Sequence, residues 1–584
     1  MKFSQLAIRS LYILLFATLG YSCAVNPVTG KKEISFMSEE KELALGKQYD
    51  PSIVASFGLY ENDKLQAFIN EKGMEMAKIS HRPHLPFEFK VLDSPVINAF
   101  AVPGGYVYFT RGILAHFNNE AEFAGVLGHE IGHVTARHSA RSQTKQILGQ
   151  VGLMAGLILS PAARELAEPL SQGMQFLLLK NSRDHESESD KLGVEYSTAV
   201  GYDAHHMANF FNTLKRKQED AGVSIPEFQS THPDPGNRFN RVHAMAEATQ
   251  AEKGGTYTVN RDSYLKMIDG LTFGEDPQQG YVEDDYFYHP ALKFKFPIPR
   301  GWRTANSPQQ FQMAPQDGKS MMVLLPSSNK TAQEAAQAFN EKQQLNVVNA
   351  QPTTVNGLKA YAQVAAPGAT QQQGQQQQQQ DIRILSYFIE YNGLIYQLHG
   401  VAETANYANL ERTFLYTMQG FNILRDPSKI NRKPDKIKVV NIQRTGTLSS
   451  VLQSYRMPSD KMDELSLING MQLNDQVQAG SLIKIVEYDF MNRGGVVNTP
   501  ADNRSNQPAP TFPSSPNTNT NTNTNTNTNT NTNTQPAPTN NQGHLPPPPR
   551  TTTPSGNTNT TPQAPANTTP TGTKKLPVKV KKKN

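Results

Sequence analysis

Five residues, His129-Glu130-Ile131-Gly132-His133, constrain this chain more than any others. They lie inside a run from Glu120 to Gln146 whose pattern predicts a helix. Residues four apart share one helical face, so both imidazoles can reach a single metal ion. Glu130, beside the first histidine, can take a proton from water on that metal. The combination predicts a zinc metalloprotease with one Zn2+ per chain.

A catalytic zinc takes three protein ligands and keeps a fourth position for water. The polar stretch Asn181 to Asp190 also reads as helix. Glu186 and Asp190 are four apart and share a face, so Glu186 can ligate. Asp190 can then orient a ligand imidazole through its other nitrogen. The plainer reading is a charged helical surface, with both acids paired to Arg183 and Lys191. Glu188 points elsewhere and reads as solvated; His138 falls off the ligand face and, with His116 and His185, reads as an ordinary polar residue. The oxyanion formed during attack needs a further donor, which His232 or Arg238 can supply.

The N-terminus bears on compartment. Lys2 and Arg9 precede an apolar run from Leu11 to Leu19, then Gly20-Tyr21-Ser22-Cys23. This is a secretory signal pattern, too short for a spanning helix. Residues 1–22 read as the signal peptide, and 23–37 as a lipidated N-terminus and linker, with Cys23 as the lipidated residue. Gly20 departs from the usual Leu, and an ordinary signal peptide with a chance cysteine is the plain alternative. The expected location is the periplasmic face of a bacterial membrane, the outer one, by a lipid anchor. Cys23 is the only cysteine, so no intramolecular disulfide forms. A formal charge of +5 over 584 residues gives no reason to expect a nucleic-acid partner. The apolar run Val151 to Leu159 is too short to span a membrane and reads as a surface-seeking hairpin.

The fold class is α+β. Residues 38–255 read as a mainly helical catalytic domain with a small sheet. Within it, Ser38 caps a helix, Asn62 to Ile79 forms another, and Phe87 to Leu92 forms a strand. Two strands flank Pro103-Gly104-Gly105, and residues 160–180 are helical. Residues 256–300 read as linker and extension. A small α+β domain follows at 301–425, with Gln371 to Gln380 as a surface loop. A third module covers 437–490, with a helix opened by Thr447 and a final strand at Leu482 to Val486. The tail 496–584 carries Asn-Thr repeats and a basic end, and cannot bury enough apolar area to order itself.

Asn98 to Gly105, Gly128 to His133, Ser182 to Gly193, and Thr231-His232-Pro233 with Arg238 together resemble the M48 family of zinc metallopeptidases, in its lipoprotein or periplasmic branch. The resemblance implies a zincin-type domain with His129, His133 and Glu186 as ligands, Asp190 behind them, and His232 at the metal or beside the transition state. Ser189 stands where the family has alanine. The resemblance also implies a substrate strand added beside Asn98, Ala99, Phe100 and Ala101, and unfolded or misassembled envelope proteins as substrates. The tetratricopeptide repeats of the best-known periplasmic members are not apparent. The module at 437–490 resembles a LysM fold, which implies peptidoglycan as a further partner. Two other functions stay open: an envelope chaperone or binding protein whose zinc site is gated or latent, and a cell-wall-binding protein acting through the C-terminal module.

Overall fold

In a computed structural model the chain is described over residues 23–144, 181–221, 232–233, 237–368 and 382–489. All of these belong to one unit, Met1–Asn498. The expected signal peptide, the Val151 to Leu159 run, the helix at 160–180, the Gln-rich loop and the tail lie outside the described residues. Among the described residues no helix is long and apolar enough to cross a membrane.

The N-terminal arm is a small hairpin, β1 (Cys23–Val25) antiparallel to β2 (Lys32–Ile34). Ser38 then caps α1 (Glu39–Phe57) by accepting from the Lys41 amide, and Asn62 caps α2 (Asp63–Ile79) in the same way. A three-stranded sheet follows, ordered β3 (Glu88–Leu92), β5 (Tyr106–Thr110), β4 (Ala99–Val102). β4 is an edge strand, antiparallel to β5. The reversal between them puts Gly104 and Gly105 at φ 86° and 100°, where a side chain would be strained.

After α3 (Arg111–His116), Asn119 caps α4 (Glu120–Thr135). All 16 residues of α4 are buried, as expected of a helix with no solvent face. α5 (Arg183–Ala199) lies against it with almost no side-chain spacing. A Cβ on Gly193 would sit 2.9 Å from the Gly125 carbonyl and 3.1 Å from the His129 amide. This close approach brings the acids of α5 to the histidines of α4. α6 (His205–Ala221) and α7 (Arg238–Lys253) complete this layer.

One element differs from the sequence expectation. The helix predicted to run through Gln146 stops at Thr135 and restarts at His138. Arg137 sits between, at φ 56°. Tertiary contacts hold it there: its Nε donates to Glu42 Oε1 at 2.5 Å and its Nη2 to the Met37 carbonyl at 2.7 Å.

The stretch 256–300, expected as linker, is structured. It carries α8 (Arg261–Met267), β6 (Thr272–Phe273), β7 (Tyr281–Glu283), β8 (Tyr286–His289) and β9 (Phe294–Pro297). The last three join the short strand Asn422–Ile423 in one sheet. A seven-stranded antiparallel sheet spans residues 303–403, backed by helices α9 (Ala332–Gln343) and α10 (Thr404–Gln419). Its core is aromatic, with Phe287, Phe294, Phe296, Phe311, Tyr396 and Phe414 in one cluster.

The C-terminal module is built around the strand Asp435–Asn441, which pairs with the strand Leu482–Glu487 on one side and with β6 on the other. Thr447 caps the helix Leu448–Ser454, as the sequence predicts. The module shares its core with the first domain: Leu452, Leu465, Ile468 and Ile483 pack in one cluster with Phe117, Phe210 and Tyr264. Lys484 is fully buried, and its Nζ donates to the carbonyls of Ala115 and Phe117 at 2.9 and 2.8 Å. A strand of the module thus clamps the loop from which α4 starts.

Candidate metal centre

α4 presents His129, Glu130 and His133, and α5 presents Glu186 and Asp190. His232 comes from the segment before α7, and Arg238 is the first residue of α7. All seven side chains are buried. His129 Nε2 lies 3.0 Å from His133 Nε2 and 3.3 Å from Glu186 Oε2. His133 Nε2 is 3.4 Å from Glu186 Oε1. His232 Nδ1 approaches Glu186 Oε2 at 3.2 Å and His129 Nε2 at 3.4 Å. One ligand atom from each of His129, His133, Glu186 and His232 lies within 4.8 Å of the others.

The outer contacts decide what these nitrogens present. His129 Nδ1 lies 3.1 Å from Asp190 Oδ1 and donates to it, which leaves Nε2 bare. His232 Nε2 lies 3.0 Å from the Ala99 carbonyl and donates to it, which leaves Nδ1 bare. His133 Nδ1 is occupied by His138 at 2.9 Å, so its Nε2 also faces inward. Three imidazole nitrogens and a carboxylate therefore converge on one point, and each nitrogen offers a lone pair there once a metal takes the place of its proton. A tetrahedral zinc with bonds of about 2.0–2.1 Å sets its donors about 3.3–3.4 Å apart. The observed separations and the N3O donor set fit that ion.

Without a metal, burial opposes charge on His129 and His232, but hydrogen bonds to Asp190 and Glu186 raise His129 to about 9, and the Glu186 and Glu130 carboxylates raise His232, so a metal binding here displaces protons from these two rings. Burial drives His133 well below its ordinary value, so its ring is neutral. Burial also works against the Glu186 carboxylate, but the charge of His232 and hydrogen bonds from His129 and His232 hold it well below the usual range. Burial raises Glu130, against the pull of His232 and His129. Among the described residues neither carboxylate oxygen of Glu130 has a hydrogen-bond partner, although both are buried and His232 Nε2 approaches Oε1 to 3.5 Å. A buried orphan acceptor is costly and marks a group held for another partner.

Residues 63–246 match the model of peptidase family M48. This segment is an M48 peptidase domain. The "Beta-barrel assembly-enhancing protease" of Yersinia pestis is 31% identical over 232 residues, covering 38% of this chain and 47% of that protein. The protein of the same name from Escherichia coli (strain K12) is 29% identical over the same shares. The "Mitochondrial metalloendopeptidase OMA1" of Arabidopsis thaliana is 31% identical over 174 residues, covering 30% of this chain and 34% of that protein. The chain thus spans about half or less of the length of these relatives. Zinc is the metal of M48 metallopeptidases, and the buried His-His-Glu-His cluster of this M48 domain can hold it.

Within the M48 domain the structure brings His129, His133, Glu186, Asp190, Glu130 and His232 to one point. Arg238 lies behind the ligands. Its Nη2 and Nε donate to Asp190 at 2.6 and 3.0 Å, and its guanidinium stacks on Phe211 at 3.7 Å. Arg241 takes the other Asp190 oxygen at 2.6 Å. Asn98 directly precedes β4, which holds Ala99, Phe100 and Ala101. Cys23 opens β1, opposite Ile34.

Three contributors were not legible in the sequence. His138 is fully buried against His133 rather than off the site. Glu188, expected to be solvated, accepts from His138 Nε2 at 3.1 Å and from Arg141 Nη1 at 2.7 Å. Arg241 was not distinguished from any other helical arginine. Only the break at Arg137 reveals His138, and nothing in the spacing announces that break.

Proposed function

We propose that this chain is a zinc-dependent endopeptidase that cleaves misfolded or unassembled cell-envelope proteins, and that His232 keeps it closed at rest. The observation that carries this reading is the convergence of three imidazole nitrogens and Glu186 beside the buried carboxylate of Glu130, which accepts no hydrogen bond from the described residues. Zinc bound there supplies Lewis acidity, acidifying water and polarising a peptide carbonyl. Glu130 accepts the water's proton at a carboxylate oxygen and returns it to the leaving amine nitrogen. Burial raises its pKa and suits it to both halves of that transfer. Arg238 and Arg241 hold Asp190, which aims His129.

The substrate is taken as an added strand along the outer edge of β4, once His232 leaves the Ala99 carbonyl, by main-chain pairing with little side-chain selectivity. That mode suits unfolded chains. The envelope assignment is supported by the names of the bacterial relatives and by the secretory pattern ending at Cys23, whose lipidation would tether the enzyme to the membrane.

One observation favours a second reading, a binding protein with a latent site. His232 stands in the fourth ligand position through Nδ1 and occupies the β4 edge at Ala99 through Nε2. Casein degradation by the zinc-loaded chain from residue 24, beside Glu130→Gln and His232→Ala, separates the two. The protease reading expects degradation abolished in Glu130→Gln and increased in His232→Ala, with one zinc per chain in Glu130→Gln. No degradation by either the parent or His232→Ala, with zinc bound in both, would leave the binding reading.

A further inference from the structure

The two ligand histidines of α4 are supported differently. His129 meets a carboxylate directly, with Asp190 Oδ1 at 3.1 Å from its Nδ1. His133 meets another imidazole, His138, nitrogen to nitrogen at 2.9 Å. For His133 to present a bare Nε2, its Nδ1 must carry the proton and donate, so His138 Nδ1 must accept. A neutral imidazole with a bare Nδ1 carries its proton on Nε2. That nitrogen is 3.1 Å from Glu188 Oε2, an acceptor. Each assignment in the row Glu188, His138, His133 follows from the one before it. Ser189 Oγ, 3.3 Å from His138 Nδ1, is consistent, since a hydroxyl donating there also requires a bare nitrogen.

The row is anchored beyond Glu188. Arg141 Nη1 donates to Glu188 Oε2 at 2.7 Å, and Arg141 Nε lies 3.3 Å from Glu33 Oε2 in β2. The His138 ring is fixed by stacking on His185, with centroids 4.3 Å apart and planes at 8°. Continuation of α4 would not produce this, because five residues of helix turn about 500°, placing His138 about 140° away from His133. The left-handed Arg137, held by Glu42 and Met37, folds it back. A non-glycine residue persists there only when its surroundings over-determine it.

We propose that His138 is the positioning residue of His133. Together with Glu188 it fixes the tautomer and aim of that imidazole, so the metal affinity of the centre depends on a side chain that never touches the metal. Arg141 and Glu33 steady the far end, and carry the dependence to the N-terminal hairpin with diminishing strength.

The proposal rests on the cluster being a zinc site. Its test is zinc affinity by chelator competition on the chain from residue 24, with the absorption spectrum of the cobalt(II) form as a second readout. His138→Leu should weaken zinc binding about 10–100-fold, the usual effect of losing such an outer partner. His138→Asn, whose Oδ1 replaces the accepting Nδ1, should recover most of it. Glu188→Ala should give a smaller loss, and Glu33→Gln at most a few-fold one. The cobalt spectrum should change in His138→Leu and return in His138→Asn. Zinc affinity of a folded His138→Leu within twofold of the parent overturns the proposal. If His138→Leu does not fold, an unchanged affinity and cobalt spectrum in Glu188→Ala overturns it. Absence of zinc binding in the parent would instead sink the metal-site reading itself.

Discussion

The M48 domain and the seven-stranded sheet both bury histidines completely, yet only one of them builds a site. His399 of the sheet donates or accepts once, to Ser386 Oγ at 2.8 Å, and stacks on Phe339 at 4.0 Å. Burial alone pushes it down to about 3, so it stays neutral. His129 is equally enclosed, but there hydrogen bonds to Asp190 and Glu186 overcome burial and raise it to about 9 before any metal binds. The lesson is that desolvation only silences an imidazole. Carboxylates on both of its nitrogens keep the second imidazole able to exchange a proton for a metal.

Asp190→Ala removes the carboxylate that sets His129 apart from His399. It leaves Arg238 and Arg241 buried or half-buried without their shared carboxylate. Losing one partner of a buried ion network costs about 3–5 kcal/mol. Urea unfolding of the M48 domain should show a loss of that order, and a change under about 1 kcal/mol would mean Asp190 is not what holds the two arginines. The clamp between the module and the M48 domain ranks next. Lys484→Met leaves two buried carbonyls without a donor and should cost about 1–3 kcal/mol. Hydrogen exchange at the start of α4 should accelerate in that variant and stay unchanged in distant α9.

The silent histidine should declare itself in acid. For His399 the folded value, about 3, lies below the unfolded value of about 6.5. Above pH 6.5 neither state is protonated and stability is fully present. As pH falls below 6.5 the unfolded chain takes up the proton first, and stability declines until the folded value is reached. At pH 5.0 the loss is about 2 kcal/mol. Trp302, the only tryptophan, packs against this domain's core and reports its unfolding by fluorescence. The His399→Phe protein should show a shallower loss between pH 7.5 and 5.0, and an equal slope in both proteins would assign the acid sensitivity elsewhere. The smallest effect belongs to the exposed pair Arg300 and Asp285, 4.0 Å apart. Asp285→Asn should leave the urea midpoint unchanged, as exposed pairs contribute little.

Much of the scaffold was legible in residues alone. Ser38, Asn62 and Thr447 announce their helices because a side-chain oxygen there satisfies an amide the helix cannot. Pro103-Gly104-Gly105 announces the reversal between β4 and β5, because two consecutive residues need positive φ. The stretch 256–300 reads as linker and extension because its strands are short, and the partners that tie it down, Asn422–Ile423 on β9 and Asp435–Lys436 on β6, lie far along the chain. The C-terminal module read as separable because its helix caps and turn are local, whereas Lys484 finds its partners more than 360 residues away.

By itself the sequence determined which residues can share a face. His129 with His133, and Glu186 with Asp190, follow from helical geometry within a few residues, where the period of the backbone leaves little choice. Only the tertiary structure decided which faces meet. Gly128 and Gly193 let α4 and α5 touch at the backbone, Glu42 and Met37 hold Arg137 out of the helix, and His138 turns in behind His133. Each of those steps depends on contacts between residues distant in sequence, whose energies outweigh local preference only once the chain has packed.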